Sequence, residues 1–145
     1  MSYFWLLSKA EKYKIGLECV IVEEVLMELK VKDNGKAAVV QVTGKLVATT
    51  LNESLRGAVR NLFARKIKRV VIDLGQVVYI DSTGVGELVS AYTSATNEKA
   101  TLQLAQVPES CKELLEITNL MDIFEIASPT DPELKALYKE LAGSN

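Results

Sequence analysis

"RVVIDLGQVVYIDSTGVGELVSAYTSATN", residues 69–97, decides how this chain folds. Its opening run, Arg69 to Leu74, is short and nearly continuously apolar, the pattern of a strand buried on both faces of a parallel sheet. Farther on, Val85, Leu88, Val89 and Tyr92 recur at i, i+3, i+4 and i+7, which predicts a helix from about Gly84 to Asn97. A buried strand that feeds an amphipathic helix is half of a βαβ unit.

The flanks continue the alternation. Upstream, "MELKVK" from Met27 sets Met27, Leu29 and Val31 against Glu28, Lys30 and Lys32, the period of a half-buried strand. "DNGK" is a turn signal, and "AAVVQVTG" closes the hairpin at Gly44. Leu51, Leu55, Ala58, Val59, Leu62 and Phe63 then share one helical face, and Thr50 with Glu53 forms a capping box that starts this helix near Thr50. Downstream, "TLQLAQV" alternates as a strand, and a helix beginning near Pro108 turns Cys111, Leu114 and Leu115 inward. "DIFEI" reads as a last short strand. A terminal helix follows, with Pro132 in its first turn, Leu134, Leu137, Tyr138 and Leu141 on one face, and Gly143 as its C-cap.

The predicted architecture is therefore α/β: a mixed, mostly parallel sheet with an initial antiparallel hairpin, helices packed on it, and a C-terminal helix. Residues 27–145 form this domain, and residues 1–26 form an N-terminal extension. In the extension, Ser2 caps a short helix to Gly16 and "LECVIV" reads as a strand, while "VIVEEVLMELKV" reads as well as one long helix. Its clustered aromatics, Tyr3, Phe4 and Trp5, call for burial on the domain or against a second copy in a homodimer. The alternative is that translation starts at Met27.

Composition removes most chemistries. With 145 residues there is room for one ordinary core. A formal net charge of −2 offers no general attraction to nucleic acid or anionic lipid. Cys19 and Cys111 form neither a metal-ligand spacing nor a disulfide framework, which points to a reduced, cytoplasmic protein. "YFWLL" is too short to span a membrane and lacks the flanks of a signal peptide. There is no histidine at all, so the Ser-His-Asp triad, the Cys-His pair and every histidine-containing zinc site are excluded. No catalytic residue, metal ligand or cofactor site is assigned.

The joint "YIDSTGVGEL", Tyr79 to Leu88, then raises the question of what two adjacent hydroxyls do at a helix start on the carboxyl edge of a sheet. Asp81, Ser82 or Thr83 can simply cap the helix. A phosphate-cradling loop would need a third glycine or a GK[ST] sequence, and neither is present. A nucleophilic serine would need a base and a GxSxG setting. The remaining reading is a hydroxyl displayed for phosphorylation by another protein. The basic run Arg56, Arg60, Arg65, Lys66, Lys68 and Arg69 reads as a solvated helix face, as do Glu109, Glu113 and Glu116.

The joint, together with the downstream "LQLAQVPESCKELLEITNLMDIFEI", closely resembles the STAS domain of bacterial anti-sigma-factor antagonists. The similarity runs from about Met27 to Ile126, and "YIDSTGVG" and "ITNLMDIFEI" are its specific parts. The resemblance implies a regulator that acts by binding rather than as an enzyme. Its implied partners are an anti-sigma factor that is also a serine kinase and a phosphatase that acts on the phosphoserine, with no nucleic acid and no membrane. By position the implied phosphorylation target is Ser82, with Thr83 as runner-up, and the implied partner-binding residues are Asp81, Ser82, Thr83, Gly84, Val85 and Gly86. One departure stands out: "GKLV", Gly44 to Val47, puts Lys45 and Val47 where the family usually carries acids. That favours an alternative, an unphosphorylated STAS scaffold or a subunit of a larger sensory or transport complex.

Overall fold

The hairpin turn is held by its own side chains. Asp33 accepts a hydrogen bond from the Gly35 amide at 3.0 Å, and Asn34 accepts from the Lys36 and Ala37 amides at 2.9 and 2.8 Å. It joins β1 (Met27–Asp33) to β2 (Ala37–Leu46) in antiparallel register, Val31 opposite Val40. The computed structural model describes residues 27–46 and 54–143. The readings placed on residues 1–26, the Thr50–Glu53 capping box and Val47 lie outside them.

Beyond the hairpin, helices and strands alternate: α1 (Ser54–Ala64), β3 (Arg69–Ile80), α2 (Ser82–Asn97), β4 (Thr101–Ala105) and α3 (Glu109–Ile117). A 3₁₀ turn (Met121–Ile123), β5 (Glu125–Ile126) and α4 (Pro132–Gly143) complete the order. Among the described residues the sheet has five strands in sequential order, with β2 to β5 parallel. This is the mixed α/β architecture expected from the pattern of strands and helices.

Sequential order has a geometric consequence. Right-handed crossovers that always step the same way along a sheet deliver their helices to the same face. Accordingly Val40, Ile72 and Leu104 point into one buried cluster that also contains Val59 of α1, Leu88 of α2 and Leu115 of α3. The intervening strand residues Val39, Val71 and Ala105 point the other way and are covered by Leu134, Leu137 and Leu141 of α4. The sheet is thus the middle of three layers, and the C-terminal helix alone supplies one of them among the described residues.

Several element boundaries differ from the sequence reading. The strand expected to end at Leu74 runs on to Ile80, and the helix begins at Ser82. The reason lies in pairing: β4 stops at the Asp73–Ala105 pair, while β2 keeps pairing with β3 as far as Leu46 opposite Ile80. Two register shifts, opposite Gln41–Thr43 and Gly44–Lys45, each put one extra residue into β3 and bend it along this extension, and Gly44 of β2 takes the left-handed φ of 106° there. In "DIFEI" only Glu125 and Ile126 are strand. Phe124 is buried instead, with its ring edge-to-face against Tyr92 of α2 at 5.9 Å.

Candidate functional site

The corner between β3 and α2 is built from both sides of the chain reversal. Asp81 is extended, with φ −120° and ψ −174°; its carboxylate accepts from the Gly84 amide at 3.0 Å and its carbonyl from the Val85 amide at 3.0 Å. Asp81 is therefore the N-cap. Ser82 and Thr83 occupy the first helical positions and are exposed. Their hydroxyls make no hydrogen bond among the described residues, because the capping work is already done.

Beneath them the helix start is clamped to the end of β2. The Asp81 amide donates to the Leu46 carbonyl at 3.3 Å. Gly84 lies so close to the same carbonyl that a Cβ there would sit 2.2 Å from the Leu46 oxygen and 2.7 Å from Ile80 Cγ1. Only glycine fits. Val85 is buried in the core, and Gly86 is exposed. Of the six residues expected at a partner surface, Ser82, Thr83 and Gly86 are exposed and Asp81 is half-buried, while Gly84 and Val85 shape the corner from below.

Sequence reasoning missed the apolar shoulder of this corner. Val78 and Tyr79, at the end of β3, are 69% and 54% exposed. The sequence signal for it is the apolar tetrad "VVYI", Val77 to Ile80, which continues the strand pattern past Leu74.

The basic run does not form one wet face. Arg56 of α1 pairs with Glu87 of α2, which is buried. Arg65 reaches Asp33 at 2.9 Å, and Arg69 reaches Asp131 at 2.9 Å and Glu133 at 3.3 Å. The Arg65 and Arg69 guanidiniums hold the Asp33 and Asp131 carboxyls below the usual carboxylate range. Arg60, Lys66 and Lys68 are exposed as expected, and so are Glu109, Glu113 and Glu116.

A buried polar cluster on the opposite sheet face was also missed. Asp73 of β3 is 1% exposed, and its carboxylate accepts from the Gly75 amide at 2.7 Å, from Gln106 Nε2 at 3.1 Å and from the Tyr138 hydroxyl. These donors satisfy a charge that would otherwise be costly to bury. Burial first, then the neighbouring Asp73 charge, push the Tyr138 phenol well above its ordinary value. The lone acid inside "RVVIDL" was the only sequence signal for it.

Comparison with known proteins adds a lineage to this geometry. The STAS domain family model matches residues 28–136. An anti-sigma-B factor antagonist of Listeria monocytogenes is 44% identical over 55 residues, 38% of this chain and 48% of that protein, so the chain spans about half the length of the curated relatives it matches. Among solved structures, an anti-sigma factor antagonist from Mycobacterium paratuberculosis superposes with a TM-score of 0.63 at 22% identity, covering 77% of this chain and 94% of that one. The anti-sigma factor antagonist SpoIIAA in its unphosphorylated form gives 0.61 at 11% identity, covering 81% and 99%. At such identities the structures speak for the fold alone. With the family model spanning the hairpin, the capped corner at Asp81 and the start of the C-terminal helix, the chain belongs to the STAS domain family.

Proposed function

We propose that this protein is a cytoplasmic anti-sigma-factor antagonist that binds an anti-sigma factor with serine-kinase activity and is switched off by phosphorylation of Ser82. One observation carries the reading: the Ser82 hydroxyl is exposed on the first turn of α2 while Asp81 does the capping. A serine needed as the cap would be committed to the helix; this one is available to a partner. The partner docks on Ser82, Thr83 and Gly86, with Val78 and Tyr79 as apolar contact area. A phosphatase later removes the phosphate and restores binding. The protein acts by association, and its chain brings no histidine to a catalytic role.

Electrostatics accounts for the switch. A phosphate on Ser82 adds about 1.5 to 2 negative charges at neutral pH. The helix start offsets a typical exposed charge by only about 0.3–1 kcal/mol. The adjacent Asp81 carboxylate opposes it. Like charges brought together across an interface shaped for a neutral hydroxyl cost several kcal/mol, enough to release the partner.

The test is incubation with the kinase partner and ATP, followed by mass mapping of wild type, Ser82→Ala and Thr83→Ala. Modification is expected in wild type and Thr83→Ala and absent in Ser82→Ala. Calorimetry should show Ser82→Asp weakening partner binding at least about tenfold, or about 1.4 kcal/mol, with Ser82→Ala near wild type. Equal affinity for all three forms would move the docking surface elsewhere. A second reading, an unphosphorylated scaffold, is favoured by one feature: Lys45 is exposed next to Leu46, the residue clamped under the corner, so a cation stands where the family usually has an acid. Failure of every form to be modified would select it.

A further inference from the structure

A cleft of about 600 Å³ opens on the α4 side of the sheet, past the carboxyl ends of β4 and β5, and no residue of the Ser82 corner lines it. That volume lies within the range of roughly 300–1,000 Å³ typical of small-molecule sites. Its walls are mainly apolar: Val107, Met121, Ile126, Ala127 and Leu134 face it. Met121 brings an adaptable thioether to such a wall.

The polar groups of the lining sort into two kinds. Gln106 Nε2 and the Tyr138 hydroxyl donate to Asp73, and the Ser128 hydroxyl is hydrogen-bonded to Thr130. What remains is Lys112 of α3 and Lys135 of α4, both exposed, and neither ammonium forms an ion pair among the described residues. The lining holds these two cations and no carboxylate, so the cleft is locally positive in a chain of net charge −2. Asp73 sets the direction of entry, because its buried carboxylate stands behind Gln106 and Tyr138 and repels any anion pushed inward.

We propose that this cleft binds a small amphipathic carboxylate, with its apolar body against Met121, Ile126 and Leu134 and its carboxylate at Lys112 and Lys135. The site is independent of the Ser82 corner and gives the domain a second input.

Octanoate is the probe, octan-1-ol its neutral counterpart, and the full-length protein the receptor. Methyl-resolved NMR titration should show octanoate shifting the Met121 and Ile126 methyl signals selectively. The double variant Lys112→Gln/Lys135→Gln, changed only at exposed positions, should bind octanoate about tenfold more weakly. Octan-1-ol should bind wild type and variant alike, and more weakly than octanoate binds wild type. A control double variant, Lys66→Gln/Lys99→Gln, should leave octanoate affinity unchanged. The proposal falls if octanoate moves no cleft methyl up to its solubility limit, if octan-1-ol binds wild type as tightly as octanoate, or if the control variant weakens octanoate as much as the cleft variant does.

Discussion

Gly84 is the residue on which the corner turns. The gap between α2 and the Leu46 carbonyl has no room for a methyl group, and the obstructing atom is backbone, which cannot rotate away. Gly84→Ala is therefore expected to destabilise the domain by about 2–3 kcal/mol in urea unfolding, as overpacking does at tight sites; a midpoint equal to wild type would show that the helix start can lift off β2. Left-handed residues tell a second story. Lys66, Lys99 and Asn119, at φ 69°, 55° and 59°, follow α1, α2 and α3. The amides after them, of Ile67, Ala100 and Leu120, return to the carbonyls of Leu62, Ala95 and Leu115 at 3.1, 2.8 and 2.8 Å. These are Schellman closures, which usually carry glycine. Lys99→Gly should raise stability by about 0.5–1 kcal/mol by relieving the Cβ clash, read from the shift in denaturation midpoint. None of these three ends carries a glycine stop: asparagine tolerates the left-handed position at 119, whereas at Lys66 and Lys99 the side chain contradicts the signal and the hydrogen bonds overrule it.

At the scale of elements, α4 and the sheet are joined by more than leucines. The Tyr138 hydroxyl and Gln106 tie α4 and the end of β4 to Asp73 on β3. Tyr138 is held neutral in the fold, above its ordinary value of 10.0, by burial and by Asp73. A raised folded value means that the group contributes stability fully below the unfolded value near 10.0 and loses it as pH rises beyond that. The wild-type melting temperature should therefore fall more steeply above about pH 10 than that of Tyr138→Phe. At neutral pH Tyr138→Phe should cost about 1–3 kcal/mol, because a buried carboxylate loses a donor. Identical alkaline limbs for the two proteins would show that the phenol titrates freely. The helix α4 itself was legible from Pro132, the leucine period and Tyr138, but the hydroxyl's target was not, since Asp73 and Tyr138 lie 65 residues apart.

For the whole molecule, the consequential feature is that, among the described residues, one helix covers one face of the sheet. A chain ending at Thr130 would expose Val39 and Val71 and lose the burial of Leu134, Leu137 and Leu141. At about 1.5–3 kcal/mol for each leucine, the loss is comparable to the 5–15 kcal/mol that typically holds a domain together. Such a truncation should abolish cooperative melting in circular dichroism or send the protein into aggregates. An unchanged melting temperature would mean that α4 is an accessory. The sequence by itself determined the order of elements, the antiparallel hairpin, the parallel remainder and the helix-start hydroxyl at Ser82, because periodicity, turn residues and capping chemistry act over a few neighbours. Tertiary structure alone decided that β3 runs past Leu74, that Arg56 is drawn to Glu87, that Asp73 is satisfied by Gln106 and Tyr138, and that Gly84 rests on Leu46. Each of these depends on which distant segments the crossovers bring together, and neither local propensity nor side-chain period carries that information.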